Sequence, residues 1–265
     1  MDIDVGIFDS GIGGLTVYKK LKEKFPHLSF AYLSDTKRAP YGIKSKEEIQ
    51  SICLENCKFF DTLGAKQIVI ACHTASVLSY DVLSKSINKP IYPMHLSTLE
   101  ELLNLPPNKS ILILGTSATI ENGFYQNNLR IKRDDLTIKA IACPFLVEYV
   151  EKQIFDPELL SKLIQLYEIT TQPWDYILLA CTHFPWLKKE LQKILPSNTF
   201  LIDPADILSS QTGWESNYLE MRKKDLFFVH GNSILLDNFL KNNFHDSYFS
   251  KEIFFHNLSF FSDKK

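Results

Sequence analysis

The chain has 265 residues, enough for one large domain or two small ones with a sizeable core. Hydrophobic residues make up 45% and charged residues 23%, and the net charge of −2 excludes the basic footprint of a nucleic-acid or anionic-membrane binder. No segment reaches the ~18 consecutive apolar residues of a membrane span, and the opening MDIDVGIFDSG lacks the basic start and apolar stretch of a signal peptide, so a cytoplasmic protein is expected.

Strand and helix patterns alternate along the chain. VGIFD (5–9) reads as a strand and LTVYKKLKEKF (15–25) as a helix. LSFAYLSD (28–35) is the next strand, and the helix after it, 44–64, is closed by Gly64. QIVIA (67–71) is a strand, and SVLSYDVLSKSI (76–87) a helix. A proline-rich stretch near residues 95 to 108 is the best candidate for a boundary. A second series then begins: SILILGT (110–116) is a strand, TIENGFYQNNL (119–129) a helix and LTIKAIAC (136–143) a strand. Helices PFLVEYVEKQ (144–153) and PELLSKLIQLYEIT (157–170) follow, then strand DYILLAC (175–181), helix PWLKKELQKIL (185–195) and strand TFLID (199–203). DLFFVHG (225–231) and ILLDNFLKNNF (234–244) form a last strand and helix, and the tail FFHNLSFFSDKK (254–265) suits an edge strand. This alternation implies an α/β fold with mainly parallel sheets covered by helices on both faces.

Ligands of such sheets sit at the carboxyl ends of strands. There the sequence places Asp9-Ser10-Gly11-Ile12-Gly13-Gly14, Asp35-Thr36 with Arg38 and Pro40-Tyr41-Gly42, Cys72-His73-Thr74, Gly115-Thr116 with Thr119, and Cys181-Thr182-His183. Two of these echo each other. QIVIACHTAS and DYILLACTHFP are both apolar strands ending in Ala-Cys, 109 positions apart. Facing each other, they would set two thiols on opposite walls of one cleft. That suits inversion at carbon: one thiolate removes a proton from one face, and one thiol supplies a proton to the other. Neighbouring His73 and His183 and the following helix N-termini are expected to lower the thiol pKa values. Gly11, Gly13 and Gly14 are expected to leave N–H groups open for a carboxylate, with Thr74, Thr116, Thr119 and Thr182 as further donors.

Other readings compete. A cysteine after a buried strand is often inert core, and Cys53 and Cys57, four apart on a helix, read that way. Five cysteines without a signal segment argue for reduced thiols rather than disulfides. The glycine turn has Thr16 where a dinucleotide fingerprint has its last glycine, and Asp9 could simply cap the first helix. Arg38 and Tyr41 could be surface loop residues, and His27, His95, His230, His245 and His256 read as structural or exposed. Cys72, His73, Cys181 and His183 lack structural-zinc spacing, so no metal is expected. A Cys181–His183 hydrolase would leave Cys72 idle, and a pyridoxal-phosphate enzyme needs a Schiff-base lysine, for which only Lys37 is near.

FDSGIGGLTV, SDTKRAPYG, ACHTAS, GTSATI and ACTHFP, in this order, resemble the glutamate racemases, cofactor-independent members of the aspartate/glutamate racemase superfamily. The resemblance runs over nearly the whole chain. It implies two similar α/β domains with the active site between them, 1–95 plus 208–265 and 96–207. It implies Cys72 and Cys181 as the acid/base thiols, assisted by Asp9 and His183, with no cofactor. Ser10, Pro40, Tyr41, Gly42, His73, Thr74, Thr116, Thr119 and Thr182 fall on substrate-holding positions, and Glu148 on that of a glutamate near the catalytic histidine. The partner implied is a small amino acid, in a cytoplasmic homodimer that supplies D-glutamate for peptidoglycan. Three residues depart from the pattern: His73 replaces an asparagine, Ala180 a glycine and Phe184 a tyrosine. His73 leaves open a different acidic amino acid as substrate, or a binding or regulatory protein with little turnover, and Ala180 is expected to tighten the cleft.

Overall fold

The computed structural model describes residues 3–154, 156–211, 213–214, 225–244 and 251–254. The chain runs β1 (Val5–Asp9), α1 (Leu15–Lys24), β2 (Phe30–Ser34), α2 (Lys46–Thr62), β3 (Gln67–Ile70), α3 (His73–Ser86), β4 (Ile91–Pro93) and α4 (Met94–Leu103). It continues with β5 (Ser110–Gly115), α5 (Ser117–Asn122), α6 (Phe124–Lys132), β6 (Thr137–Ala142), α7 (Pro144–Glu151), α8 (Pro157–Leu166), β7 (Tyr176–Ala180), α9 (Lys188–Ile194), β8 (Phe200–Ile202) and α10 (Pro204–Ser210). β9 (Asp225–Val229), α11 (Ser233–Asn243) and β10 (Lys251–Phe254) complete it.

Two parallel sheets result, ordered β10-β9-β2-β1-β3-β4 and β6-β5-β7-β8. Both are covered on two faces, so their strands are apolar runs whose alternate residues feed different cores. In β3, Val69 faces one core while Ile68 and Ile70 face the other; in β7, Ile177 and Leu179 oppose Leu178 and Ala180. Continuing that alternation puts Cys72 with Ile68 and Ile70, and Cys181 with Ile177 and Leu179. Each sheet reverses its winding at one point. β2 and β3 flank β1 in the first, and β6 and β7 flank β5 in the second. The crevices beyond β1/β3 and β5/β7 are therefore the ligand-binding positions of the two sheets. They carry Asp9 and Cys72, and Thr116 and Cys181.

The proline-rich stretch is not a bare linker. It supplies β4 and α4, whose Met94 packs in a core of the first sheet while Leu99 and Leu102 pack in one of the second. The chain returns through α10, whose Ala205 and Leu208 lie in the first sheet's core. The helix read over 119–129 is two helices, because Gly123 stands at φ +72°, a left-handed conformation that only glycine adopts freely. The start of the aromatic tail, Phe254, ends edge strand β10; residues 255–265, with His256, and His245 lie outside the described residues.

Candidate active site

A cavity of about 480 Å³ opens between the carboxyl edges of the two sheets, and both Cys72 and Cys181 line it. Cys72 is the residue before α3, so its sulfur sits at a helix N-terminus and accepts the Ala75 N–H. Its thiol points to Ser10 Oγ at 3.9 Å. Burial pushes the Cys72 thiol up, and the Asp9 carboxylate pushes the same way, more than the Ala75 N–H and Ser10 offset. The expected lowering by His73 is not found, because the His73 ring turns away to Tyr125.

Cys181 has a different environment. Its sulfur lies 3.5 Å from His183 Nδ1, and His183 Nε2 meets Glu151 Oε1 at 2.5 Å. Burial opposes charge on His183, yet Cys181 and the Glu151 carboxylate outweigh it and hold the imidazole well above its ordinary pKa. Burial also opposes charge on Glu151, but the His183 bond and the Ile12 N–H keep its carboxyl below the usual range. The glutamate at the histidine is thus Glu151, not Glu148. Glu148 lines the cavity but pairs with Lys152 one helical turn on. Both lie on the cavity side of α7, one turn apart, so spacing alone does not separate them.

The glycine turn also differs from expectation. Asp9 accepts the Gly11 N–H at 3.0 Å and a further N–H from Gly14, while Glu151 takes that of Ile12. The Gly11 and Gly14 donors expected to seat a substrate carboxylate are therefore taken by Asp9 itself. Asp9 does cap this turn, and it also accepts the Thr182 hydroxyl at 3.1 Å from the opposite sheet. Burial raises the Asp9 carboxyl, with the His183 charge and the Gly11 and Gly14 N–H groups opposing. Gly13 passes so close to Thr182 and His183 that an added Cβ would stand 2.5 Å from Thr182 Oγ1.

Hydroxyls fill the opposite wall. Thr74 meets Thr116 at 2.8 Å and Thr119 at 3.3 Å, and Thr116 meets Thr119 at 3.0 Å. Thr116 also caps α5 by accepting the Thr119 N–H. Pro40, Tyr41 and Gly42 border the cavity, with Gly42 pressed on Thr116. The Tyr41 side chain turns inward: its hydroxyl donates to Asp35, which also holds Arg38 and accepts from His230 Nδ1 at 2.7 Å. Arg38 is thus part of a buried network rather than a surface loop. Ala180 adds no methyl to the cleft, since it faces the core with Ile113 and Tyr125. Sequence reasoning missed Glu151, Ser117 and the apolar Phe145, Val147 and Leu235 of the cavity mouth. Among the described residues no group of three or more His, Cys, Asp and Glu is placed to hold a metal ion.

The model of the Asp/Glu/Hydantoin racemase family matches residues 6–212. The chain belongs to this family. As a member of it, the chain is an isomerase. It is similar to the glutamate racemase of Aquifex pyrophilus, with 38% identity over 206 residues that cover 77% of this chain and 80% of that relative. It also resembles the crystal structure of glutamate racemase from Campylobacter jejuni, with a TM-score of 0.83, 33% identity, and 92% and 100% of the two chains covered. The glutamate racemase from Francisella tularensis, solved in complex with D-glutamate, superposes with a TM-score of 0.81 at 25% identity, covering 96% and 98%.

Proposed function

We propose that this racemase interconverts L- and D-glutamate by proton transfer between two sulfurs, Cys72 and Cys181. The observation that carries the reading is that both thiols line one cavity, each at the end of an equivalent strand from a different sheet. In one direction the Cys181 thiolate takes the α-proton and becomes a thiol, leaving a carbanion shared with the α-carboxylate. Cys72 then gives its proton to the opposite face and becomes a thiolate. The reverse direction exchanges the roles, so protons balance without a cofactor. The protonated His183, held by Glu151, stands 3.5 Å from the Cys181 sulfur. Asp9 beside Cys72 acts with Ser10 on the other sulfur.

Ser10, Thr74, Thr116 and the backbone N–H groups of Tyr41, Gly42 and Thr182 hold the substrate in this reading, facing its carboxylates, with Pro40 bordering the site and Thr119 bracing Thr74 and Thr116. Glu148 stands at the cavity edge, where its charge repels a misplaced carboxylate. The division of the chain follows the sheets, residues 1–95 plus 208–265 against 96–207. A cytoplasmic homodimer supplying D-glutamate for peptidoglycan belongs to the same reading. Among the described residues, no helix is long and apolar enough to cross a membrane. A re-tuned acidic substrate is not favoured, since the His73 Nε2 that suggested it is already bonded to Tyr125.

The test is proton NMR of each glutamate enantiomer in D₂O without added cofactor. Loss of the α-proton signal with appearance of the other enantiomer is expected. Cys72→Ser and Cys181→Ser should each abolish racemisation with the fold intact. Wild-type turnover in either variant, or no exchange in folded enzyme with free thiols, would overturn the reading.

A further inference from the structure

His73 follows Cys72 directly, is 2% exposed, and reaches across the domain junction. Its Nε2 lies 2.8 Å from the hydroxyl of Tyr125, which is 1% exposed and lies in the second sheet's core. Thr98 on α4 lies beside the Tyr125 hydroxyl and donates its own hydroxyl proton to the Met94 carbonyl at 2.6 Å. His73 and Tyr125 are thus joined beside the backbone of α4. That helix is the crossing between the two sheets.

The surroundings fix the ring further. Its partner ring is tilted by 35° with centroids 6.0 Å apart. Next to it, His95 is held by Ser76 at 2.6 Å and by the edge of Phe124 at 4.5 Å. Burial, with His95 nearby, pushes His73 down to about 3, so the ring is neutral throughout the working range.

We propose that His73 and Tyr125 form a cross-domain pin that sets Cys72 against the second sheet, making both of them positioning residues for the Cys72 half of the racemisation. The inference rests on the two-thiol reading. Cys181 has its own support in His183 and Glu151, so the pin acts on one proton transfer and leaves the other alone.

Tyr125→Phe removes the hydroxyl partner of His73 and keeps the ring. In full-length enzyme, kcat/KM should fall about fivefold for both enantiomers, the order expected for one lost neutral hydrogen bond. Equal falls are required because the overall equilibrium is unchanged. The deuterium isotope effect on kcat/KM separates the halves. With C2-deuterated substrate it should rise for the enantiomer that Cys72 deprotonates and fall for the other, whose later reprotonation by Cys72 becomes limiting. Cys72→Ser and Cys181→Ser, which each retain one face, assign which enantiomer is which. His73→Gln, whose amide N–H can reach Tyr125, should restore the wild-type isotope effects, whereas His73→Asn should not. Isotope effects that move together, or KM rising with both isotope effects unchanged, would overturn the pin and make His73 a general structural group or a substrate contact. Failure of the two-thiol reading would show separately, as wild-type enzyme that does not racemise.

Discussion

Replacing Glu151 by Gln keeps the shape of the acceptor at His183 and deletes its charge. The bond is short, 2.5 Å, and His183 is buried, but the Glu151 side chain is 27% exposed, so solvent screens part of the interaction. A hydrogen bond between charged groups contributes about 1.5–3 kcal/mol, and the partial exposure places this one at the lower end. At 1.36 kcal/mol per factor of ten, kcat/KM should fall roughly tenfold. The pH dependence carries a sign. The folded-state pKa of His183 is raised, so stabilisation by its charged form is complete below the unfolded value and is lost as pH rises through the folded value. Without the carboxylate the folded value drops toward the ordinary one, and activity on the alkaline side should be lost at lower pH. Racemisation followed by circular dichroism from about pH 6 to about pH 10 reads the limb directly. A tenfold loss with an unmoved alkaline limb would refute the assignment of Glu151 as the group that keeps His183 charged. An unfolded variant, detected by thermal melting, would be replaced by Glu151→Asp, which keeps the charge and should shift the limb less.

Gly13→Ala would push a methyl to 2.5 Å from Thr182 Oγ1 and 2.8 Å from His183 Nδ1. Overpacking of this kind costs about 1–3 kcal/mol, and the domains should part slightly, lowering turnover well before stability fails; unchanged turnover would show that the contact is slack. Asp225→Ala should cost about 3–5 kcal/mol in urea unfolding, because Asp225 holds Lys22 at 2.9 Å, the Tyr18 hydroxyl at 2.9 Å and the Phe30 N–H at 2.9 Å. A loss below about 1 kcal/mol would mean that Lys22 finds water instead.

Much of the architecture is legible in the sequence because both sheets are parallel and buried on two faces. Runs such as SILILG and YILLA, short and bounded by turn residues, then read as buried strands, and the echo of Ala-Cys at two strand ends points to the cleft. What escapes is decided by a single turn or by rotamers. Glu148 and Glu151 share one face of α7, and only the position of His183 on the other loop selects between them. The glycine turn advertises free N–H groups, but Asp9 and Glu151, distant in sequence from one another, occupy those of Gly11, Ile12 and Gly14. Tyr41 looks like a cavity hydroxyl until Asp35 claims it. Proline at 90 and 93 suggests a linker, yet Pro93 ends an edge strand and precedes a helix, both places that tolerate it.

The two crossings between the sheets, α4 and α10, pack against each other, and both lie away from the cavity mouth formed by residues such as Phe145 and Leu235. A molecule joined at two adjacent places can swing only about the line through them, as a door does on paired hinges. The bonds Asp9–Thr182, Thr74–Thr116 and His73–Tyr125 lie across that swing, so any opening about this line stretches all three. Release by such an opening would be coupled to the same hydrogen bonds that align the sulfurs. A substitution that tightens them would slow exit while leaving the proton transfers intact.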